Sequence, residues 1–353
     1  MTTPSMADDL SLARRYAGVV ARRMALLAML GAAVLVALLF DVGTGAMSFP
    51  LADVVAGLID RQAVSRAQGV VLWDVRLPQA AMAVLVGAAL GLAGAEMQTM
   101  LNNPLASDTT LGVSAAATLG ASIALVFHLV PGGWAPTLVV PVFAFAFAAA
   151  SILVISLLAR TYGASVDTVI LFGIAMYFAL HALVWLVQFL ADADTLQQIV
   201  FWTMGSLGRA TWEKDAIVGG VLLACLPFSL RRAWAMTAMR AGDDHARSVG
   251  IAVERLRLIV LLRASLLAAT AVAFVGTIGF VGLIGPHVAR MALGEDHRFF
   301  LPGAALAGAL MLSLASIASK AIVPGLILPV GIVTALVGIP LFMALVLRRR
   351  RRP

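Results

Sequence analysis

The side chains that could do chemistry are few and widely spaced. A phosphate-binding loop needs the pattern GxxxxGK[ST], yet neither of the two lysines, Lys214 and Lys320, follows a glycine. The sequence has no HExxH or CxxC pattern, and its one cysteine, Cys225, lies in an apolar run. The pair Asp243-Asp244 lacks the acidic fifth residue of an aspartate-rich metal motif. The five histidines are scattered: His128, His181, His245, His287 and His297. The residues therefore favour neither an enzyme nor a metal site, and transport is the leading class of function.

The composition is that of a polytopic membrane protein. The 353 residues are 61% hydrophobic and 12% charged, whereas about 25% of the residues of a soluble protein are charged. A helix needs about 20 apolar residues to cross a bilayer, and uniformly apolar runs are helical because lipid cannot satisfy their backbone groups. We therefore predict an all-α protein with about ten transmembrane helices, at 24–40, 78–100, 111–130, 138–158, 166–190, 216–230, 258–275, 280–293, 301–317 and 330–347.

Positive charge is concentrated in three segments. These are a basic tail over residues 1–23, a polar segment over 231–257 and a second basic tail over 348–353. Basic residues stay on the cytoplasmic side of a membrane, and an even number of crossings puts all three segments there. Nucleic-acid binding is disfavoured, because no basic stretch is interleaved with aromatic residues. The intervening 24–347 is then the transmembrane domain, which contains the 231–257 segment.

Four glycines three residues apart form a turn that ends in Pro286: Gly276, Gly279, Gly282 and Gly285. The spacing favours either a hinge or close helix packing by small residues, and the two are compatible. A second set of small residues, Gly87, Gly91 and Ala95, shares one face of the second predicted span.

Polar side chains inside the spans are costly and tend to face a cavity or the protein interior. Tyr177, His181, Trp185 and Gln188 share one helical face, which predicts the lining of a translocation path or, alternatively, buried hydrogen bonds between helices. His181 is also a candidate for transient haem-iron ligation, although a hydrogen-bonding role is preferred. Glu96 and Gln98 are read as helix-packing or inner-gate groups.

Several separate stretches, in order, resemble one family. They are Arg76-Leu-Pro78, Gly94-Ala-Glu-Met-Gln98, Asn103-Pro-Leu-Ala106, Leu111-Gly-Val-Ser114, Trp202-Thr-Met-Gly-Ser206, Gly242-Asp-Asp-His-Ala-Arg-Ser-Val-Gly250, Gly279-Phe-Val-Gly-Leu-Ile-Gly-Pro-His287, Asp296-His-Arg298 and Leu328-Pro-Val-Gly-Ile-Val-Thr334. From about Val70 to the C-terminus the sequence resembles the FecCD-type permeases of ABC importers for iron-siderophores, haem and vitamin B12.

The resemblance implies a type II importer permease in the bacterial inner membrane, with both termini cytoplasmic. It implies a second permease chain, expected to be identical, a path along the two-fold interface, two ATPase subunits that bind the ATP and a periplasmic binding protein. The chain itself would need no cofactor. A ferric siderophore is the expected cargo, with haem or vitamin B12 as alternatives. A proton-coupled secondary transporter is less favoured, since Glu96 is nearly alone among acidic residues in the spans.

The resemblance also implies two contact surfaces. The expected ATPase-coupling residues are Arg240, Gly242, Asp243, Asp244, Ala246, Arg247 and Gly250. Between the two glycines we expect a short helix with rigid ends and charges of both signs, and an ordinary solvated loop is the alternative. The expected docking residues for the binding protein are Arg61, Arg66, Arg76 and Lys320. The alternative for each is a residue at the membrane interface whose charged end extends into water. The pattern departs from the family at Gln79, where many members have a second arginine, and at Leu328, where many have glutamate. The docking patch is therefore expected to be reduced or shifted.

Overall fold

The computed structural model describes residues 6–45, 49–132, 135–163, 165–323 and 325–350. Over these ranges the regular structure is helical. The α-helices are α1 (Met6–Gly43), α2 (Leu51–Ile59), α3 (Arg66–Val70), α4 (Leu77–Met100), α5 (Val113–Val126), α6 (Pro136–Tyr162), α7 (Val166–Phe189), α8 (Ala193–Thr203), α9 (Trp212–Arg231), α10 (Ala233–Met239), α11 (Asp243–Ser248), α12 (Val253–Val275), α13 (Val281–Leu293), α14 (His297–Ala321) and α15 (Val330–Arg350). A 3-10 turn at Arg61–Ala63 precedes α3, and a π-helical turn at Val71–Arg76 joins α3 to α4.

Each of the ten predicted runs coincides with one of these helices. Among the described residues, six helices are long and apolar enough to cross a membrane, and α9 with α10 makes a seventh if this pair, bent by 63°, is one span. Three more apolar helices are shorter: α5, α13 and the Val330–Met343 part of α15. The all-α prediction is confirmed.

The segments flanking the spans differ from expectation. Residues 6–23 of the predicted N-terminal tail are the first half of the continuous helix α1. Residues 348–350 of the C-terminal tail continue α15, whereas residues 1–5 and 351–353 lie outside the described part of the chain. The mixed polar sequence of residues 41–76 favours an external loop with one short amphipathic helix. The described residues of this region instead contain the end of α1, then α2, α3 and two helical turns.

Helix α4 lies at the centre of the bundle. Its small residues let the neighbouring helices approach its backbone closely. A Cβ atom on Gly87 would meet the main chain of Gly308 in α14. A Cβ atom on Gly94 would meet the main chain of Gly282 in α13. The predicted small-residue face of this span packs against α14 at Gly87 and at Gly91, where a Cβ atom would meet the carbonyl of Ala304. Gly94 lies outside the predicted set.

Contacts between helix ends define two ends of the bundle. At the end that contains α11, Arg257 donates to the carbonyl of Met100, and Arg240 pairs with Glu295. Arg23 of α1 pairs with Asp296 at the same end, at 3.4 Å. Helix α15 runs toward this end, since its Phe342 lines a cavity together with Arg240. Residue Arg23, the segment around α11 and the Phe342 part of α15 therefore lie at the same end of the bundle.

The opposite end contains the segment between α1 and α4. There Lys320, near the end of α14, pairs with Asp41, near the end of α1. Trp212 at the start of α9 donates its indole N–H to the carbonyl of Trp73 at 2.9 Å. Because α9 and α12 run antiparallel through the bundle, the start of α9 and the end of α12 also lie at this opposite end.

Candidate functional site

Helix α11 is a short helix held rigidly against the bundle. Its first residue follows Gly242, which has φ +105°, and Gly250 beyond its end has φ +85°. Residues with a side chain rarely adopt such positive φ angles, which explains why glycine occupies both positions. Ala246 is fully buried. The carboxylate of Asp243 accepts hydrogen bonds of 2.8 and 2.9 Å from the buried guanidinium of Arg257. The burial of Ala246 and the hydrogen bonds between Asp243 and Arg257 fix α11 to the rest of the chain.

The outer face of α11 carries charge of both signs. Asp244 is fully exposed and Arg247 is half exposed. Arg247 pairs with Asp244 at 3.1 Å and with Glu254 at 2.9 Å. Exposed ion pairs of this kind contribute little to stability, so a partner protein can rearrange them at low cost. The predicted combination of rigid ends and an exposed charged face is present.

Arg240, which was expected to join the coupling surface, lies beside α11 with its side chain partly exposed. Its guanidinium donates to Glu295 at 2.6 Å and to the side chain of Asn102 at 3.0 Å. The hydrogen bond from Arg240 holds the pKa of Glu295 below its usual range. Glu295 also pairs with Arg290 at 3.3 Å. Arg240 is therefore part of a network within the chain, beside a cavity of about 480 Å³ at the α11 end.

The four polar residues of α7 line a single cavity of about 380 Å³: Tyr177, His181, Trp185 and Gln188. The His181 ring lies 4.3 Å from the Tyr177 ring and 6.3 Å from the Trp185 ring, centroid to centroid. The Nδ1 atom of His181 is buried without a hydrogen-bond partner among the described residues. The alternative of a hydrogen bond between helices is therefore not realised at this atom.

The far wall of this cavity comes from α5 and from the glycine turn. Thr109, Ser114 and Thr118 supply hydroxyl groups on one side, and Thr277 and Gly279 lie on the other. The Ser114 hydroxyl donates to the carboxylate of Asp108. The cavity is thus uncharged at its lining, polar and partly aromatic. Such a surface can pass a bulky polar molecule without binding it tightly.

The glycine turn has two structural roles. Gly276 ends α12 with φ +81°, and a Cβ atom there would meet the carbonyl of Trp202. Gly282 faces the backbone of α4, and Gly285 faces Gly308 of α14, where a Cβ atom would lie 3.1 Å from the nitrogen. Pro286 is buried within α13. Close packing therefore accounts for Gly282 and Gly285. Gly279 has open space around it and borders the cavity.

The predicted docking residues divide into two pairs. Arg61 and Arg66 are exposed at the opposite end from α11. Arg76 is buried, donates to the carbonyls of Val42 and Gly43 at 3.0 and 3.1 Å, and stacks on Phe49. A guanidinium with these partners cannot reach another protein. The prediction that Arg76 is a docking residue is wrong for this reason.

Lys320 is also buried, with its ammonium 2.8 Å from a carboxylate oxygen of Asp41. The same carboxylate accepts a hydrogen bond from Ser316 at 2.9 Å. Sequence reasoning assigned Asp41 to a loop, but the structure places it near the end of α1, fully buried. Lys320 therefore neutralises an internal charge, and its docking assignment is wrong.

A second buried ion pair was also missed from the sequence. Arg263 of α12 donates to both carboxylate oxygens of Glu96 in α4, with Nε–Oε distances of 3.0 and 3.1 Å. Gln98, two residues on, donates to the carbonyls of Gly282 and Leu283 in α13. Both residues thus join helices, as one alternative predicted. The sequence signal for this ion pair was a single cation, Arg263, in one apolar run and a single anion, Glu96, in another.

The chain is similar to known transport proteins in both sequence and structure. The FecCD transport family matches residues 17–348. The hemin transport system permease protein HmuU of Yersinia pestis is 36% identical over 80% of this chain and 84% of its own length. The vitamin B12 import system permease protein BtuC of Vibrio vulnificus is 35% identical over 78% and 82%. An inward-facing metal-chelate type ABC transporter shares 29% identity and a TM-score of 0.81, over 92% of this chain and 99% of that one.

Proposed function

Because the chain belongs to the FecCD transport family, and so to the permeases of metal-chelate ABC importers, we propose that it carries a ferric siderophore across the inner membrane. A periplasmic binding protein delivers the cargo, and two copies of a separate ATPase hydrolyse the ATP. The observation that carries the proposal is the uncharged polar cavity that α7 lines within a bundle whose α11 end presents a rigid charged helix. The chain itself needs no cofactor.

The path proposed for the cargo includes the cavity formed by Tyr177, His181, Trp185 and Gln188. It is completed by a second, identical permease chain. The α11 end faces the cytoplasm, because positive charge is concentrated there. Two conformations open the path alternately to each side, and each partner acts by binding one of them more tightly. The loaded binding protein biases the outer end, and ATP on the partner subunit biases the α11 end.

Haem is the second candidate cargo. His181 supports it, because the unpartnered Nδ1 atom and the two adjacent aromatic rings belong to one cavity. Vitamin B12 fits the same scaffold. The assay that ranks the three is ATP hydrolysis by the chain reconstituted in lipid with its ATPase and binding protein, with each cargo added in turn. Stimulation by a ferric siderophore alone is the expected result. Uptake driven by a proton gradient without any associated ATPase contradicts the proposal.

Charge reversal on α11 tests the coupling surface. Arg247→Glu places a third negative charge beside Asp244 and Glu254, so we expect ATPase association to weaken about tenfold. The measurement is the affinity of the purified ATPase for the chain in nanodiscs. Arg255→Glu is the matched control, because Arg255 is exposed on the next helix without an ion pair among the described residues. Equal affinity for the two variants would remove α11 from the interface.

Docking of the binding protein is expected to depend on the exposed pair Arg61 and Arg66. Reversing both to glutamate should slow its association about tenfold at low salt, since surface charges chiefly set encounter rates. Surface plasmon resonance with the chain in nanodiscs gives the rate. The control is Arg160→Glu, an exposed arginine near the end of α6 at the α11 end of the bundle. An unchanged association rate for the double variant places the docking surface elsewhere.

A further inference from the structure

A cavity of about 850 Å³ lies at the end of the bundle opposite α11. It is bordered by α8, by the start of α9, by the end of α12 and by the segment that precedes α15. Its size is within the usual range for small-molecule sites. It lies near the α7 cavity, because neighbouring residues of the same segments line the two: Trp202 lines this cavity and Thr203 lines the α7 cavity. A molecule that arrives from this end meets the large cavity before the α7 cavity.

Two cations line this cavity. The Arg209 guanidinium has no hydrogen bond or ion pair with any described residue. The Lys214 ammonium donates to the main-chain carbonyl of Arg209 at 2.7 Å, which holds the second positive charge beside the first. Asp194 is the one acidic side chain in the lining. Two positive charges against one negative charge leave the cavity with a net attraction for anions.

The remaining lining suits a molecule that is aromatic as well as charged. Gln197 and Gln198 of α8 add amide groups that can donate hydrogen bonds. Phe201 and Phe274 supply aromatic faces. A site that combines cations, amide donors and aromatic rings complements a ligand that carries net negative charge and has aromatic rings at its surface. An uncharged ligand would offer the two cations no counter-charge.

We propose that this cavity is an entry site selective for ferric chelates with a net negative charge, and that Arg209 and Lys214 recognise their anionic oxygens. The inference rests on the proposed import function and narrows its cargo. Ferric tris-catecholates fit best, because three doubly charged catecholates around Fe³⁺ leave a trianion with aromatic rings at its surface. Ferric tris-hydroxamates of similar size are uncharged and gain nothing from the two cations.

The test compares these two classes on the permease alone. The chain in nanodiscs is titrated with ferric enterobactin, a tris-catecholate, and with ferrichrome, a tris-hydroxamate, each labelled with radioactive iron. We expect the pair Arg209→Gln and Lys214→Gln to weaken binding of ferric enterobactin by about tenfold or more and to leave ferrichrome unchanged. Higher salt should reproduce part of that loss in the unmodified chain. Arg160→Gln with Arg255→Gln, two exposed arginines outside the cavity and outside the proposed docking pair, is the control and should change neither affinity.

The possible outcomes are separable. Equal binding of ferric enterobactin before and after the substitutions overturns the inference, as does a wild-type chain that binds neither chelate. An equal loss for both chelates means that the substitutions altered the cavity's shape, which also contradicts charge recognition. A change only in affinity for the binding protein assigns the two cations to protein docking and overturns the inference too. Cargo-stimulated ATP hydrolysis, measured separately, decides the proposed function whatever the outcome at this cavity.

Discussion

Arg263→Met is expected to lower the free energy of unfolding by about 3–5 kcal/mol, because it leaves a buried carboxylate without its counter-charge. Glu96 is fully buried and Arg263 nearly so, in two helices long enough to span a membrane. The guanidinium contacts both carboxylate oxygens, so Arg263→Met removes three hydrogen bonds at once. The measurement is reversible unfolding of the purified chain in mixed micelles.

The double variant Glu96→Gln with Arg263→Met should recover most of that stability, since removing both charges of a buried pair is often close to neutral. Arg255→Met, on the exposed side of the same helix, is the control for loss of an arginine. A cost for Arg263→Met no larger than that of Arg255→Met would show that the pair is not formed in the membrane. Because Glu96 is ion-paired, we also expect uptake by the double variant, where it folds, to remain independent of a proton gradient.

Lys320→Met should destabilise the chain by a similar amount, about 3–5 kcal/mol. The substitution removes the ammonium from Asp41, which stays buried with Ser316 as a hydrogen-bond donor and with Arg76 as a nearby cation that still acts on its charge. Asp41→Asn combined with Lys320→Met is expected to restore most of the loss. The same unfolding assay measures both, and Arg66→Met is the control, because Arg66 is exposed at the same end.

A second measurement separates this structural role from docking. Folded Lys320→Met protein should bind the binding protein with unchanged affinity, because the ammonium does not reach the surface. A loss of binding-protein affinity without a loss of stability would contradict the burial of Lys320 and return it to the docking surface. The Asp41–Lys320 pair therefore explains a lysine that sequence reasoning placed on the outside.

The sequence by itself determined the features that depend on neighbouring residues. Apolar runs of membrane length form helices, because backbone groups in lipid must bond within their own segment. The spacing of Tyr177, His181, Trp185 and Gln188 put them on one helical face, and the structure finds them in one cavity. Gly242 and Gly250 bound a short helix because each has a positive φ that other residues rarely adopt.

Only the tertiary structure decided which charges are inside. Glu96 meets Arg263 across 167 positions of sequence, and Lys320 meets Asp41 across 279. In the sequence, each of these four residues is an isolated charge, and only the packing of the helices shows which two form a pair. An arginine at a helix end reads alike in sequence whether it docks a partner, as proposed for Arg66, or caps a neighbouring helix, as Arg76 does. Burial is a property of the assembled bundle, because the partner that satisfies a charge comes from a different helix.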